Sequence, residues 1–330
     1  MWPGDRPVRS LPLLTLYLTE RCNSRCVSCD YWRHGRADVS IDSVARMLPD
    51  LAHLGTRLVL ISGGEPLIHP HWAEISQLLT DNGLELWLLT SGLSLAKHAA
   101  RVASLFQSVT VSLDGTDPAM YAAIRGLDAF EKVCEGIRAA ADAGLRVGVR
   151  VTVQRRNFRH LVDFVDLARG CGASQISFLA ADVSNAHAFG RSGHVGNEIA
   201  LTSDDVAAFA AALDALERNR AADFASGFIA ESPAKLRRLQ QYYAALLGTA
   251  RFPPTRCNAP EFSAVMDAGG RLQPCFFIQG PAAQDPRMRL DDLLNDEPMR
   301  RLRADIRFGR RPECERCVCS SWRDLPPVTH

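Results

Sequence analysis

Short apolar runs alternate with amphipathic stretches through the first half of the chain. Leucine- and valine-rich runs fall at 14–18, 58–62, 84–90, 109–113, 147–154 and 175–181. Between them, apolar residues recur at helical spacing over 41–54, 72–82, 94–105, 130–143 and 158–170. Gly83, Gly144 and Gly172 stand where helices should stop, and Pro49 should interrupt the first helix before its end. Six nearly continuous apolar strands separated by helices predict an α/β fold, with a parallel sheet covered on both faces. Periodicity alone does not separate a doubly wound sheet from a partial barrel.

After residue 182 the rhythm breaks. Residues 184–196 are rich in Gly, Asn, His and Ser and read as a loop; its His187 and His194 carry no assigned role. Alanine-rich amphipathic helices follow, one from Ser203 to about 219 and one from Pro233 to about 247. They either cap the open side of the α/β part or extend it. Pro253-Pro254 marks a boundary, so the chain divides into 1–182, 183–250 and 251–330.

Composition then removes several function classes. With 330 residues, 47% hydrophobic content and a net charge of +1, the chain can bury a large core and carries no basic footprint for nucleic acid. No apolar run reaches the roughly 18 residues of a membrane span. The start, Met-Trp-Pro-Gly-Asp-Arg-Pro, lacks the apolar centre of a signal peptide. Ten cysteines in such a chain point to metal ligation in a reducing compartment, and to a cytoplasmic location.

Three of those cysteines carry the strongest signal. Cys22, Cys26 and Cys29 follow the first apolar run at C-x3-C-x2-C spacing, with no fourth cysteine nearby. Three thiolates suit an iron–sulfur cubane with one open iron better than a closed zinc site, which usually pairs two C-x2-4-C elements. About forty residues on, a buried run ends in Gly63-Gly64-Glu65-Pro66. The glycines allow close backbone approach to a ligand, and Glu65 can accept from an ammonium group.

Together these two motifs resemble the radical S-adenosylmethionine (SAM) enzymes. The resemblance implies a partial (β/α)6 TIM-like barrel with its active site at the C-terminal ends of the strands. It implies a [4Fe–4S] cluster on Cys22, Cys26 and Cys29, its fourth iron chelated by SAM, with Gly63, Gly64 and Glu65 meeting the methionyl amine. The residue before the third cysteine, often aromatic in that family, is Ser28 here; Tyr31 and Trp32 follow at once. In Val111-Ser112-Leu113-Asp114-Gly115 the same resemblance gives Ser112 the SAM carboxylate. Asp114 either shares that face or stabilises the turn, and Arg125, ahead of Gly126, either pairs with a carboxylate or lies at the surface.

The last eighty residues hold a second cysteine set. Cys275 follows a hairpin-like stretch turning at Asp267–Gly270, and Cys314-x2-Cys317 lies in a polar Arg/Pro-rich segment unable to form a core alone. On residues alone, a zinc knot and an iron–sulfur site are equally good readings. The spacing C-x17-C, a gap of 38, then C-x2-C resembles the twitch half of a SPASM extension. That implies one auxiliary [4Fe–4S] cluster on Cys257, Cys275, Cys314 and Cys317, in a C-terminal auxiliary iron–sulfur domain. Cys319 is surplus: an alternative ligand, an inert thiol, or a hydrogen-atom donor. Cys134 and Cys171 read as buried small hydrophobes.

Within 147–154, Arg150 and Thr152 share the face opposite Val147, Val149, Val151 and Val153. If the valines pack on helices, Arg150 points into the barrel, where an unpaired charge is costly and an anionic or hydrogen-bonded partner is expected. Asp182 ends the sixth run and faces the same space. His69 and His71 read as loop caps. The resemblance implies reductive cleavage of SAM to a 5′-deoxyadenosyl radical, with a flavodoxin or ferredoxin as electron donor. The first expectation is oxidation of a small-molecule alcohol of sugar or cyclitol type, with Arg150 or Asp182 orienting or deprotonating the hydroxyl. Epimerisation with Cys319 as donor, and maturation of a ribosomal peptide, are the alternatives. The first strand lies so near residue 1 that no fused leader-peptide-binding domain is expected. A metal-stabilised binding protein without catalysis is the reading from a different class.

Overall fold

Six strands lie side by side in chain order: β1 (Leu13–Thr19), β2 (Leu58–Gly63), β3 (Glu85–Thr90), β4 (Ser108–Ser112), β5 (Arg146–Val153) and β6 (Gln175–Ala180). The structure is a computed structural model describing residues 7–185, 188–191, 198–281 and 288–324; His187 and His194 lie outside it. Neighbouring strands in this set are all parallel. They are joined through α1 (Tyr31–His34), α2 (Ile41–His53), α3 (Trp72–Asp81), α4 (Leu95–Leu105), α5 (Pro118–Arg125), α6 (Phe130–Asp142) and α7 (Leu161–Gly170). The sheet ends at β6 on one side and does not close on β1, so it is an open partial barrel.

Register sorts the two faces. Val111, Val149 and Ile176 pair across β4, β5 and β6 and are fully buried, as are Leu14, Leu16 and Ile61 on β1 and β2. This face packs against the helices. The alternate row Ser112, Arg150 and Ser177 is only partly buried and lines the concave side. The expectation that the valines of β5 face the helices, turning Arg150 inward, matches this arrangement.

Pro49 does not end α2, which runs to His53. The proline removes the hydrogen bond to the carbonyl of Ala45, but Ala45 and Pro49 are both exposed, so water can take that acceptor. The helix α5 was not expected. It is short, yet Asp117 caps it by accepting from Met120 N at 2.8 Å, Pro118 opens it, and left-handed Gly126 (φ 75°) stops it.

Beyond β6, α8 (Ser203–Asn219), α9 (Ala221–Ala225) and α10 (Pro233–Leu246) extend the barrel at its open edge. Residues 228–230 run along β6, with Ile176 N donating to Phe228 O at 2.7 Å and Ala230 N to Ile176 O at 2.9 Å. This covers an otherwise bare edge. Tyr243, fully buried on α10, donates to Val153 O at 2.6 Å and accepts from Ala181 N at 3.0 Å, tying the helix to the ends of β5 and β6.

The C-terminal hairpin of β7 (Ser263–Met266) and β8 (Leu272–Gln273) does not stand apart: β7 pairs in parallel with β1, enlarging the sheet to eight strands. Its turn is held by Asp267, which accepts from Gly269 N at 3.0 Å and Arg271 N at 2.8 Å. Three helices follow: α11 (Leu290–Asn295), α12 (Glu297–Arg307) and α13 (Pro312–Glu315). Asp50, buried at the end of α2, accepts from Leu290 N at 2.8 Å and Arg289 Nε at 3.0 Å, fastening this segment to the barrel.

Candidate active site

The loop carrying Cys22, Cys26 and Cys29 leaves the C-terminal end of β1, where open α/β sheets place their chemistry. Gly64 N donates to Thr19 O at 2.7 Å and Glu65 N to Arg21 O at 2.8 Å, so the Gly-Gly-Glu turn grips the root of the cysteine loop. A Cβ on Gly63 would overlap the Thr19 carbonyl oxygen, and one on Gly64 that of Arg21. The glycines are required by packing against the chain itself, beyond any ligand.

Glu65 is fully buried. Its carboxylate accepts from Leu67 N at 3.1 Å, Thr90 Oγ1 at 2.7 Å and Ser91 N at 2.6 Å. Of about four lone-pair sites, three are taken, and the side chain ties the turn to the end of β3. Most of what this turn can offer an ammonium group is therefore backbone carbonyl.

On the other side, Asp114 is buried and accepts from Thr152 N at 2.7 Å and from Arg125 at 3.1 Å. Neither is a surface residue. Burial alone would lower the Arg125 pKa, but the charges of Cys26, Asp114, Tyr121 and Cys22 outweigh it and raise it. A permanent cation thus lies beside the cysteine loop, and the end of α5 is pinned there by Arg25 N to Arg125 O at 2.9 Å and Val27 N to Ile124 O at 3.0 Å. Ser112, in register with Arg150, lies in the same concave row.

A third support escaped sequence reasoning. Arg191 is buried and donates to Ser28 O at 2.7 Å, Asp182 O at 2.8 Å and Asn185 O at 3.0 Å. Cys29 Sγ donates to Phe189 O at 3.4 Å, and Asp30 N to the same carbonyl at 3.0 Å. The only signal had been an Arg within a Gly-rich loop.

The three thiols are close enough to feel one another's charge. Burial, then the neighbouring thiols, pushes Cys22 up to about 11 and Cys29 up to about 12; Cys26 is raised as well, again by burial, with Arg125 opposing. In the C-terminal set, burial pushes Cys275 to about 12 and Cys314 to about 11 and raises Cys317; Cys257 and Cys314 lie close enough to Cys275 to add to its shift. Tyr17 and Tyr31 stack edge to face at 6.0 Å, and the Tyr17 hydroxyl feels both Cys29 and Cys275. Phe189 and Phe277 make a second edge-to-face pair at 5.6 Å. The two cysteine groups therefore meet through aromatic side chains. All ten cysteines are free thiols; Cys134 and Cys171 are buried.

Arg150 makes one hydrogen bond among the described residues, Nε to Ser177 Oγ at 3.4 Å. Burial lowers its pKa, against the opposing charges of Cys319 and Glu231. Cys319, exposed on the last loop, lies within electrostatic reach of Arg150 and Lys235. Asp182 is buried; its Oδ1 accepts from Ser184 N at 2.9 Å and Asn185 N at 3.1 Å, while Oδ2 has no partner among the described residues. His69 bonds Val39 O at 3.0 Å through Nε2 and accepts from His71 N at 3.1 Å, a loop-fixing role.

Residues 16–168 match the family described as Radical SAM superfamily. This part of the chain is a radical SAM domain. AdoMet-dependent heme synthase of Methanosarcina barkeri is 30% identical over 171 residues, 49% of this chain and 48% of that one, so the chain aligns with about half of this curated relative. Streptococcus suis SuiB bound to precursor peptide SuiA has a similar fold, with TM-score 0.68 and 15% identity over 88% of this chain and 66% of its own. So does anSMEcpe with bound AdoMet and Kp18Cys peptide, with TM-score 0.65 and 18% identity over 93% and 86%. The superfamily implies a [4Fe–4S] cluster and SAM. The donor set fits that group: three neighbouring thiols and a flanking cation in Arg125. No helix among those residues is long and apolar enough to cross a membrane.

Proposed function

We propose that the chain is a radical SAM oxidoreductase acting on a substrate held in the concave face of the barrel, with an auxiliary [4Fe–4S] cluster as electron acceptor. What supports this reading most is the chain of contacts between the two cysteine groups: Cys29 Sγ meets Phe189 O at 3.4 Å, and the Phe189 ring packs at 5.6 Å on Phe277, two residues beyond Cys275. When bound, the cluster and SAM supply a 5′-deoxyadenosyl radical that removes a hydrogen atom from the substrate.

The ligands are Cys22, Cys26 and Cys29 for the first cluster, and Cys257, Cys275, Cys314 and Cys317 for the second. Backbone at Gly63 and Gly64, with Glu65 behind it, receives the methionyl amine, and Ser112 the carboxylate. Arg125 balances the thiolates. For an alcohol substrate, oxidation to the ketone requires loss of a hydrogen atom, one proton and one electron. Arg150 orients the hydroxyl and Asp182, whose Oδ2 has no partner among the described residues, accepts the proton; Cys257, Cys275, Cys314 and Cys317 would hold the auxiliary cluster, which would supply the electron sink. A flavodoxin or ferredoxin supplies the reducing electron.

A second reading is peptide oxidation. SuiB and anSMEcpe, which share the fold, are described with a precursor peptide and the Kp18Cys peptide.

The test is iron and sulfide content after anaerobic reconstitution, with 5′-deoxyadenosine formation from SAM under dithionite. About eight irons falling to about four in the Cys22→Ala/Cys26→Ala/Cys29→Ala variant, with 5′-deoxyadenosine lost, supports two clusters. About four irons falling to none, with zinc in the wild type, removes the electron-acceptor role.

A further inference from the structure

The concave row Ser112, Arg150 and Ser177 puts a guanidinium at mid-strand in the barrel. Arg150 is half-buried, yet no carboxylate among the described residues lies within ion-pair distance of it, and its two terminal nitrogens make no hydrogen bond there. The acid whose charge reaches Arg150 is already engaged: Glu231 accepts from Phe178 N at 2.9 Å and faces Lys235 at 4.0 Å. With Lys235 counted, the group carries one net positive charge. A cation brought part-way out of water without a partner is a cost, and a bidentate carboxylate is the ligand that a guanidinium fork repays best.

We propose that Arg150 forms a carboxylate-binding subsite that holds an anionic group of the substrate beside the Cys319 thiol. This rests on the reading that the concave face receives substrate; it narrows the substrate class to hydroxy acids and gives Arg150 their carboxylate, leaving the hydroxyl to Asp182. A SAM carboxylate is the other source of the same chemistry, since Ser112 is Arg150's register neighbour.

Cys319 serves as a built-in reporter. In reconstituted holoprotein, its alkylation by iodoacetate and by iodoacetamide is followed by peptide mass spectrometry, and the rate ratio is normalised to glutathione. The subsite predicts a ratio about tenfold above glutathione, the scale of one partly screened charge contact. Arg150→Gln should return it to the glutathione value, and Arg150→Lys should keep part of it; any change in thiolate fraction slows both reagents alike and cancels in the ratio. A wild-type ratio equal to glutathione, or one that survives Arg150→Gln, overturns the subsite. Saturating SAM separates the sources: a preference that persists assigns the site to substrate. One that vanishes while iodoacetamide still reacts gives it to the methionyl carboxylate and overturns the substrate assignment. Because labelling requires no turnover, failure to form 5′-deoxyadenosine alongside a raised ratio would sink the proposed reaction and leave the subsite standing.

Discussion

The two cysteine groups rest on different kinds of support. Around Cys22, Cys26 and Cys29 the loop is gripped by backbone bonds from the Gly-Gly-Glu turn, by the buried Arg125–Asp114 pair, and by Arg191. Around Cys314 and Cys317 the chain has a four-residue helix, and no residue from 304 to 324 is buried. Its ties are polar and few: Asn258 N to Ser321 O at 2.9 Å, Asn258 Nδ2 to Arg323 O at 2.7 Å, and Thr255 Oγ1 to Cys314 O at 2.9 Å. The first site is held by contacts of the barrel itself. The second has little buried apolar surface, so the proposed auxiliary cluster would make metal binding and local folding one event there.

The sharpest way to break this contrast is to remove a support of the first site. Asp114→Asn leaves the Arg125 guanidinium buried without its counter-charge and should cost about 3–5 kcal/mol in denaturant unfolding. Adding Arg125→Met should recover part of that cost. A single-mutant cost below about 1 kcal/mol would mean that the charge pair does not hold the loop.

Iron removal probes the other side. Anaerobic chelation of the reconstituted protein should lower amide-exchange protection over 304–324 by about a hundredfold, while β1 to β6 stay within a few-fold. Equal losses in both regions would erase the distinction.

The smallest effect concerns His69. Burial lowers its pKa below the usual value, and protonation would also remove the acceptor for His71 N. The unfolded chain then binds the proton more readily. The contribution to stability is whole above about pH 6.5 and declines as pH falls from there toward the folded value. The expected loss between pH 7 and 5.5 is within about 1 kcal/mol. His69→Gln should flatten that slope in thermal melts; an unchanged slope rules the residue out.

The strands and long helices were legible because apolar period and glycine stops agreed, and each boundary falls within a few residues of its expected place. The helix α5 was missed because eight residues carry too little periodicity, although its Asp-Pro start and Gly stop were in plain view. Pro49 misled because its cost depends on exposure, which sequence does not state. The cysteine motifs and the Gly-Gly-Glu turn were readable from spacing. The clamp by Arg191 and the pairing of β7 with β1 were not, since both join residues far apart in the chain through contacts that leave no local pattern.

That last pairing bears on synthesis. Leu13 to Leu16, on the strand that leads into the first cysteine loop, finds one of its two partners only when Ser263 to Met266 emerges, about 250 residues later. At ribosomal rates of roughly 5–20 residues per second, this apolar edge stays open for many seconds. An unfinished chain therefore offers an unpaired strand edge to its neighbours until the hairpin closes it.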